Sequence, residues 1–264
     1  MTLPLAMCMA DRGRDSWGVS DGDIIYKSPT NILKTFRELD LEAPTYHTRG
    51  ASVGGVSVEN AHPFECTSTG RRVVGCHNGH IHNHTDLRAK YSRNSFLVDS
   101  QHIFQHLVEH ADLSEIGGYG GMVTWWEMLD TKRDKRQRYI TWFGNRACEV
   151  AKLVSGEIVF ASTKSAIDIS VQLTGAQIKH YYEPLKERVR YNLAPDELYE
   201  GPELAFGKSP YHEPYRHYAS VVNSDITITD GVCATYDCMN EIDKKHLICG
   251  KCFARTQQDL GVTL

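Results

Sequence analysis

The run His77-Asn78-Gly79-His80-Ile81-His82-Asn83-His84 gathers side chains able to donate hydrogen bonds, bind metal or move protons. A His-Asn-Gly turn after the apolar pair Val73-Val74 sets a side-chain amide and a glycine N–H together at the end of a strand. Two donors converging there make a site for an oxygen that becomes negative during acyl transfer. The same Asn-Gly dipeptide is also a common hairpin turn, so by itself it leaves both uses open. His80, His82 and His84 alternate, and on a strand all three face one side, the arrangement of a metal comb.

A second constellation lies near the C-terminus, where Cys233-x4-Cys238-x10-Cys249-x2-Cys252 forms two cysteine pairs. Two such knuckles supply a tetrahedral thiolate set for structural zinc; Gly250 suits the tight second turn, and His246 is a possible substitute ligand. With few apolar residues after Val232, metal is expected to carry much of the folding of residues 231–264 as a zinc-ribbon appendage. Cys8, Cys66, Cys76 and Cys148 are scattered instead, as reduced thiols usually are. The opening Met1–Ala10 is apolar but has no basic lead and runs into Asp11, so it reads as part of the fold and not as an export signal. A reducing, cytoplasmic setting follows, which favours metal over disulfides for the second group.

The elements that must position these residues are strand-rich. Arg72–Gly75, Gly121–Trp126, Arg138–Phe143 and Glu157–Ser162 have strand-like patterns, and the second and third look like a β-hairpin. Its charged link, Asp130 to Arg138, carries Lys132, Arg133, Lys135, Arg136 and Arg138; a solvated hairpin tip accounts for it better than a nucleic-acid contact. A helix is expected over Ser28–Leu39, with Ser28 as cap and Pro29 in the first turn. A second is expected to start at Ser100, with Ile103, Phe104, Leu107 and Val108 as its buried stripe. Ala176–Arg190 has helical character broken by Pro184, and residues 191–230, rich in Pro, Glu and Tyr at their start, read as a linker or irregular wrapping. Many strands with few helices give a layered α+β domain over residues 1–190. A net charge of −4 makes a nucleic-acid partner unlikely on composition, and no apolar run approaches the ~20 residues that span a bilayer.

Taken in order, Arg12-Gly13-x-Asp15-Ser16-x-Gly18, His47-Thr48-Arg49-Gly50-Ala51-Ser52, Asn60-Ala61-His62-Pro63-Phe64, His77-Asn78-Gly79 and Ala161-Ser162-Thr163-Lys164 resemble the glutaminase domain of class II glutamine amidotransferases, the N-terminal-nucleophile type. The resemblance covers roughly residues 8 to 167. It implies a four-layer αββα sandwich and release of ammonia from L-glutamine through a γ-glutamyl thioester. It further implies that Asn78 and Gly79 form the oxyanion hole, that Arg49 clamps the substrate carboxylate, and that Asp99 binds its ammonium. His62 is carried over as structural and site-lining, and the Arg-Gly-x-Asp-Ser turn as architectural. Asp99 or Ser100 would equally serve as a helix N-cap.

The family's nucleophile is a cysteine at the mature N-terminus, its own α-amine acting as base. It lies a strand and a helix ahead of the Arg-Gly-x-Asp-Ser turn, whereas this sequence starts Met1-Thr2 with eleven residues before Arg12. The expectation is a chain whose catalytic Cys segment belongs to a longer product, with doubtful activity as numbered. Ammonia would pass to a separate synthase or acceptor subunit. The alternative is a catalytically inactive glutaminase-like protein used for binding or assembly.

Overall fold

The computed structural model describes residues 2–9, 13, 15–29, 39–51, 53–129, 136–144 and 148–207. Its largest sheet has six strands in the order β12-β11-β7-β6-β5-β4. These are β4 (Phe64–Ser68), β5 (Arg71–Ile81), β6 (Gly118–Leu129), β7 (Arg136–Trp142), β11 (Val189–Leu193) and β12 (Leu198–Glu203). Two three-stranded sheets complete the strand content of the described residues. One is β2-β1-β3, from β1 (Ser16–Ser20), β2 (Ile25–Ser28) and β3 (Thr45–Arg49). The other is β10-β8-β9, from β8 (Glu149–Leu153), β9 (Ile158–Ala161) and β10 (Ile178–Tyr181). All the strand pairs are antiparallel. The result is a mixed α/β sandwich.

Alternation along β6 explains how one sheet serves two cores. Trp125 packs with Phe104, Ile103 and Tyr139 on one face, while Trp126 packs with Val74 and Met128 on the other. The first face is covered by α3 (Gln101–His110), reached through α2 (His84–Lys90). Ile103, Phe104, Leu107 and Val108 are all buried there, as their spacing requires. Gly75 lets this helix close down, because a Cβ at that position would lie 2.2 Å from the Phe104 ring. Near the small sheets, α1 (Thr2–Met9) and α4 (Lys164–Thr174) pack together. Leu5 and Cys8 rest against the cluster of Ala151, Leu153, Val159, Ala161 and Ile167. Thr163 caps α4 by accepting the Ala166 N–H at 3.3 Å.

Several sequence expectations are corrected by these elements. Residues 176–190 form no helix; β10 and the start of β11 lie there, where the β-branched and aromatic side chains find sheet partners. The wrapping expected from residue 191 is instead, through Glu203, a β11–β12 hairpin extending the large sheet. The charged hairpin link is not solvated at its end. Arg136 belongs to β7 and pairs with Asp23 at 2.9 Å and with Glu42, and Arg138 is buried. Most of the helix expected over Ser28–Leu39, and the four cysteines Cys233, Cys238, Cys249 and Cys252, lie outside the described residues, while Ser28 itself ends β2.

Candidate active site

Between the large sheet and the two small ones lies a cavity of about 990 Å³. Arg49, Asn78, Gly79, Asp99 and His62 all line it, so the five site residues named from the sequence meet in one place. The oxyanion candidates are not in a hairpin turn. They lie inside the eleven-residue β5, where the pairing with β6 steps from His77↔Val123 to Gly79↔Gly120. Met122 and Gly121 of β6 thus stand opposite the single Asn78, so β6 carries the extra residue of a β-bulge, a device that bends the ladder beside Asn78.

Buried histidines hold β5 next to Asn78. His62 Nδ1 accepts the His77 backbone N–H at 3.2 Å, and His47 Nε2 donates to the His77 carbonyl at 3.1 Å. The two imidazoles stack with ring centres 4.0 Å apart. His77 Nδ1 meets Ser100 Oγ at 2.9 Å. Burial pushes His47 down to about 4 and His62 well below the ordinary imidazole range, so both rings are neutral near pH 7. A neutral His62 can keep the lone pair that its contact with His77 requires. Gly18 makes this packing possible, since a Cβ there would come 1.8 Å from the His62 carbonyl oxygen. His62 is thereby a support of β5 beside Asn78 as well as a lining residue.

Arg49 ends β3 with only 5% of its surface exposed. Its guanidinium donates to the carbonyls of Gly55 at 3.2 Å and Val53 at 2.5 Å. Its backbone is fixed from the other side: the Asp15 N–H donates to the Arg49 carbonyl at 3.0 Å, and Asp15 Oδ2 accepts the Ala51 N–H at 2.6 Å. Gly13 lies against the same strand, where a Cβ would meet the Arg49 carbonyl carbon at 2.4 Å. Desolvation lowers the Arg49 pKa, opposed by Asp99 and Asp15.

Asp99 is 3% exposed. It does not cap α3. Its Oδ2 accepts the Ile81 N–H at 2.7 Å and lies 3.4 Å from His80 Nδ1. Ser100 does not cap either, its hydroxyl being engaged by His77. Gln101 Oε1 takes the Leu97 and Val98 N–H groups instead, both at 3.0 Å.

Sequence reasoning missed Arg138 on the cavity wall. Its Nη2 donates to Thr45 Oγ1 at 2.7 Å, and the guanidinium lies over Trp126 and Phe160. Burial lowers its pKa to about 10, which leaves it a cation at neutral pH. Nothing in a Lys/Arg-rich link distinguishes this arginine from its exposed neighbours. The alternating histidines do not form a strand comb, because β5 ends at Ile81 and His84 opens α2. Among the described residues no group of His, Cys, Asp and Glu is arranged to hold a metal.

Residues 10–129 match the family model of class-II glutamine amidotransferases. Over those residues the chain is similar to a class II glutamine amidotransferase domain. A glutamine–fructose-6-phosphate aminotransferase (isomerizing) of Idiomarina loihiensis is 33% identical over 112 residues, which are 38% of this chain and 18% of that protein. A glutamine phosphoribosylpyrophosphate amidotransferase from B. subtilis, solved with ADP and GMP, superposes with a TM-score of 0.55 at 17% identity. The alignment covers 76% of this chain and 45% of that one. A structure described as the allosteric regulatory enzyme of purine biosynthesis has the same TM-score at 18% identity and the same coverages. The chain therefore spans under half of each solved relative and less than a fifth of the aminotransferase, and the structural likeness speaks for the fold alone. No helix of the described residues is long and apolar enough to cross a membrane.

Proposed function

We propose that this chain is the glutaminase half of an amidotransferase, binding L-glutamine in the cavity and releasing ammonia for an acceptor handled by a partner. The observation that carries this reading is the convergence of Arg49, Asn78, Gly79 and Asp99 on one cavity. The Asn78 amide and the Gly79 N–H stabilise the tetrahedral oxyanion. Arg49 receives the α-carboxylate with the guanidinium capacity that the loop carbonyls leave, and Asp99 receives the α-ammonium. The inner and outer strand layers, with α3 on one side and α1 and α4 on the other, are the four-layer αββα arrangement of this reading.

The reaction needs an attacking thiol. None of the described cysteines lines the cavity. Burial pushes Cys66 and Cys76 up to about 12, leaving them as inert thiols. The nucleophile of this reading is accordingly presented by residues outside the described set. β3 and β9 are each the last strand of their small sheet, and both line the cavity. In this reading the cysteine-bearing segment runs along one of these edges, beside Asn78. On their spacing, Cys233, Cys238, Cys249 and Cys252 are proposed to bind one structural zinc.

The test is ammonia release from L-glutamine by the 264-residue chain and by a form extended at its head to begin with cysteine. The extended form is expected to be active and to lose activity on alkylation of that cysteine, with the shorter form slower by several orders of magnitude. Glutamine binding without hydrolysis in either form would instead support the binding or assembly reading. Full activity of the shorter form with Cys8 or Thr2 labelled would overturn the account of the nucleophile.

A further inference from the structure

His80 is the residue after the oxyanion pair, and it is not part of the cavity wall. Its side chain is 28% exposed, while its Nδ1 lies 3.4 Å from Oδ2 of Asp99, which is 4% exposed. One face of this imidazole meets solvent and the other meets the carboxylate at the floor of the site. We propose that His80 makes glutamine binding pH-dependent: protonated, it forms an ion pair with Asp99 that competes with the substrate ammonium, and neutral, it leaves the carboxylate to the substrate. This rests on the reading of Asp99 as the ammonium anchor.

The surroundings of Asp99 favour a single switch. On the strand end and helix after His80 stand His82 and His84, with ring centres 5.1 and 6.1 Å from that of His80. From α3 comes His102, with Arg93 at 3.5 Å from its Nδ1. From β3 comes Arg49, and β6 places Tyr119 opposite His80 in the ladder. Asp86 and Arg88 of α2 act on His84. Desolvation holds His82 and His84 below the ordinary imidazole range and His102 at about 4. The second carboxylate oxygen, Oδ1, is left for the incoming ammonium, so neighbouring positive charge opposes binding without removing the anchor.

The experiment is calorimetric titration of the full chain with L-glutamine at pH 5.5, 6.5 and 7.5 and constant ionic strength. The wild type, His80→Gln, His80→Leu and Asp99→Asn are compared, each checked for native circular dichroism. Competition by the protonated imidazole is expected to weaken binding about tenfold between pH 7.5 and 5.5. That loss is expected in the wild type, with a change under about twofold in both His80 variants. An undiminished pH dependence in folded His80→Gln, or a flat wild-type profile, would overturn the role of His80 while leaving Asp99 as anchor. Asp99→Asn binding as tightly as wild type, or no wild-type binding at pH 7.5, would instead remove the anchor reading beneath it.

Discussion

At the scale of single residues, the site divides its tasks between donors and charges. Asn78 is placed to act on charge that develops only during the reaction, whereas Arg49 and Asp99 act on charges that the substrate already carries. Asn78→Ala in the cysteine-bearing form is therefore expected to lower kcat by about 10²–10³ with little change in KM. Steady-state assays of ammonia release check this, and a rise confined to KM would place Asn78 among the ground-state contacts. Asp99→Asn is expected to behave oppositely. It removes the negative charge that faces the ammonium while the amide oxygen still accepts the Ile81 N–H, so KM rises and kcat changes less.

At the scale of elements, the stretch of β5 around Asn78 depends on partners far away in sequence. His62 and His47 hold both polar groups of the His77 backbone, and Gly18 admits the His62 carbonyl. Gly18→Ala would force β1 away from that carbonyl, at a cost of about 3 kcal/mol or more. Urea unfolding is the measurement, with Gly55→Ala as a near-neutral comparison because nothing lies within 4 Å of a Cβ there. His62→Leu leaves the buried His77 N–H without an acceptor, expected to cost about 1–3 kcal/mol. It should also lower kcat, since the stretch of β5 that aims Asn78 loses one of its supports. Loss of stability with kcat intact would show that His62 packs without positioning.

At the scale of the whole molecule, buried histidines set the response to acid. Burial holds His47 and His102 at about 4, whereas both return to about 6.5 on unfolding. Between these values the unfolded chain binds more protons, so stability falls as pH falls. The contribution is fully present above about pH 6.5 and is lost toward pH 4, at about 1.4 kcal/mol per pH unit for each histidine. Urea midpoints at pH 5, 6 and 7 measure it, and replacing His102 by a residue without a titrating group should make the profile shallower. For the C-terminal region, the freshly purified reduced protein is expected to hold one zinc per chain, measured by elemental analysis. Replacing Cys249 and Cys252 together by Ser should abolish it, while zinc retained by that variant would exclude this cysteine set.

The sequence by itself determined the local chemistry and the short-range elements. The motifs around Arg49, Asn78 and Asp99 named the residues that line the cavity, and the Ile103, Phe104, Leu107 and Val108 stripe located α3. Both signals are legible because motif spacing and helical period are local properties of a chain. What only the tertiary structure decided was everything set by contacts across the fold. Asn-Gly became part of a strand beside a bulge of β6, and not a hairpin turn, because β6 pairs with β5 on both sides of Asn78. Residues 178–203 became strands because β8 and β7 offered them open edges. Arg138 left the charged link for the cavity wall because β7 alternates its faces and Thr45, Trp126 and Phe160 receive it. His80 came to face Asp99, nineteen positions away in the sequence, because the end of β5 packs against the start of α3. Burial, register and the pKa of a histidine depend on which elements meet, and that is settled by packing over the whole molecule.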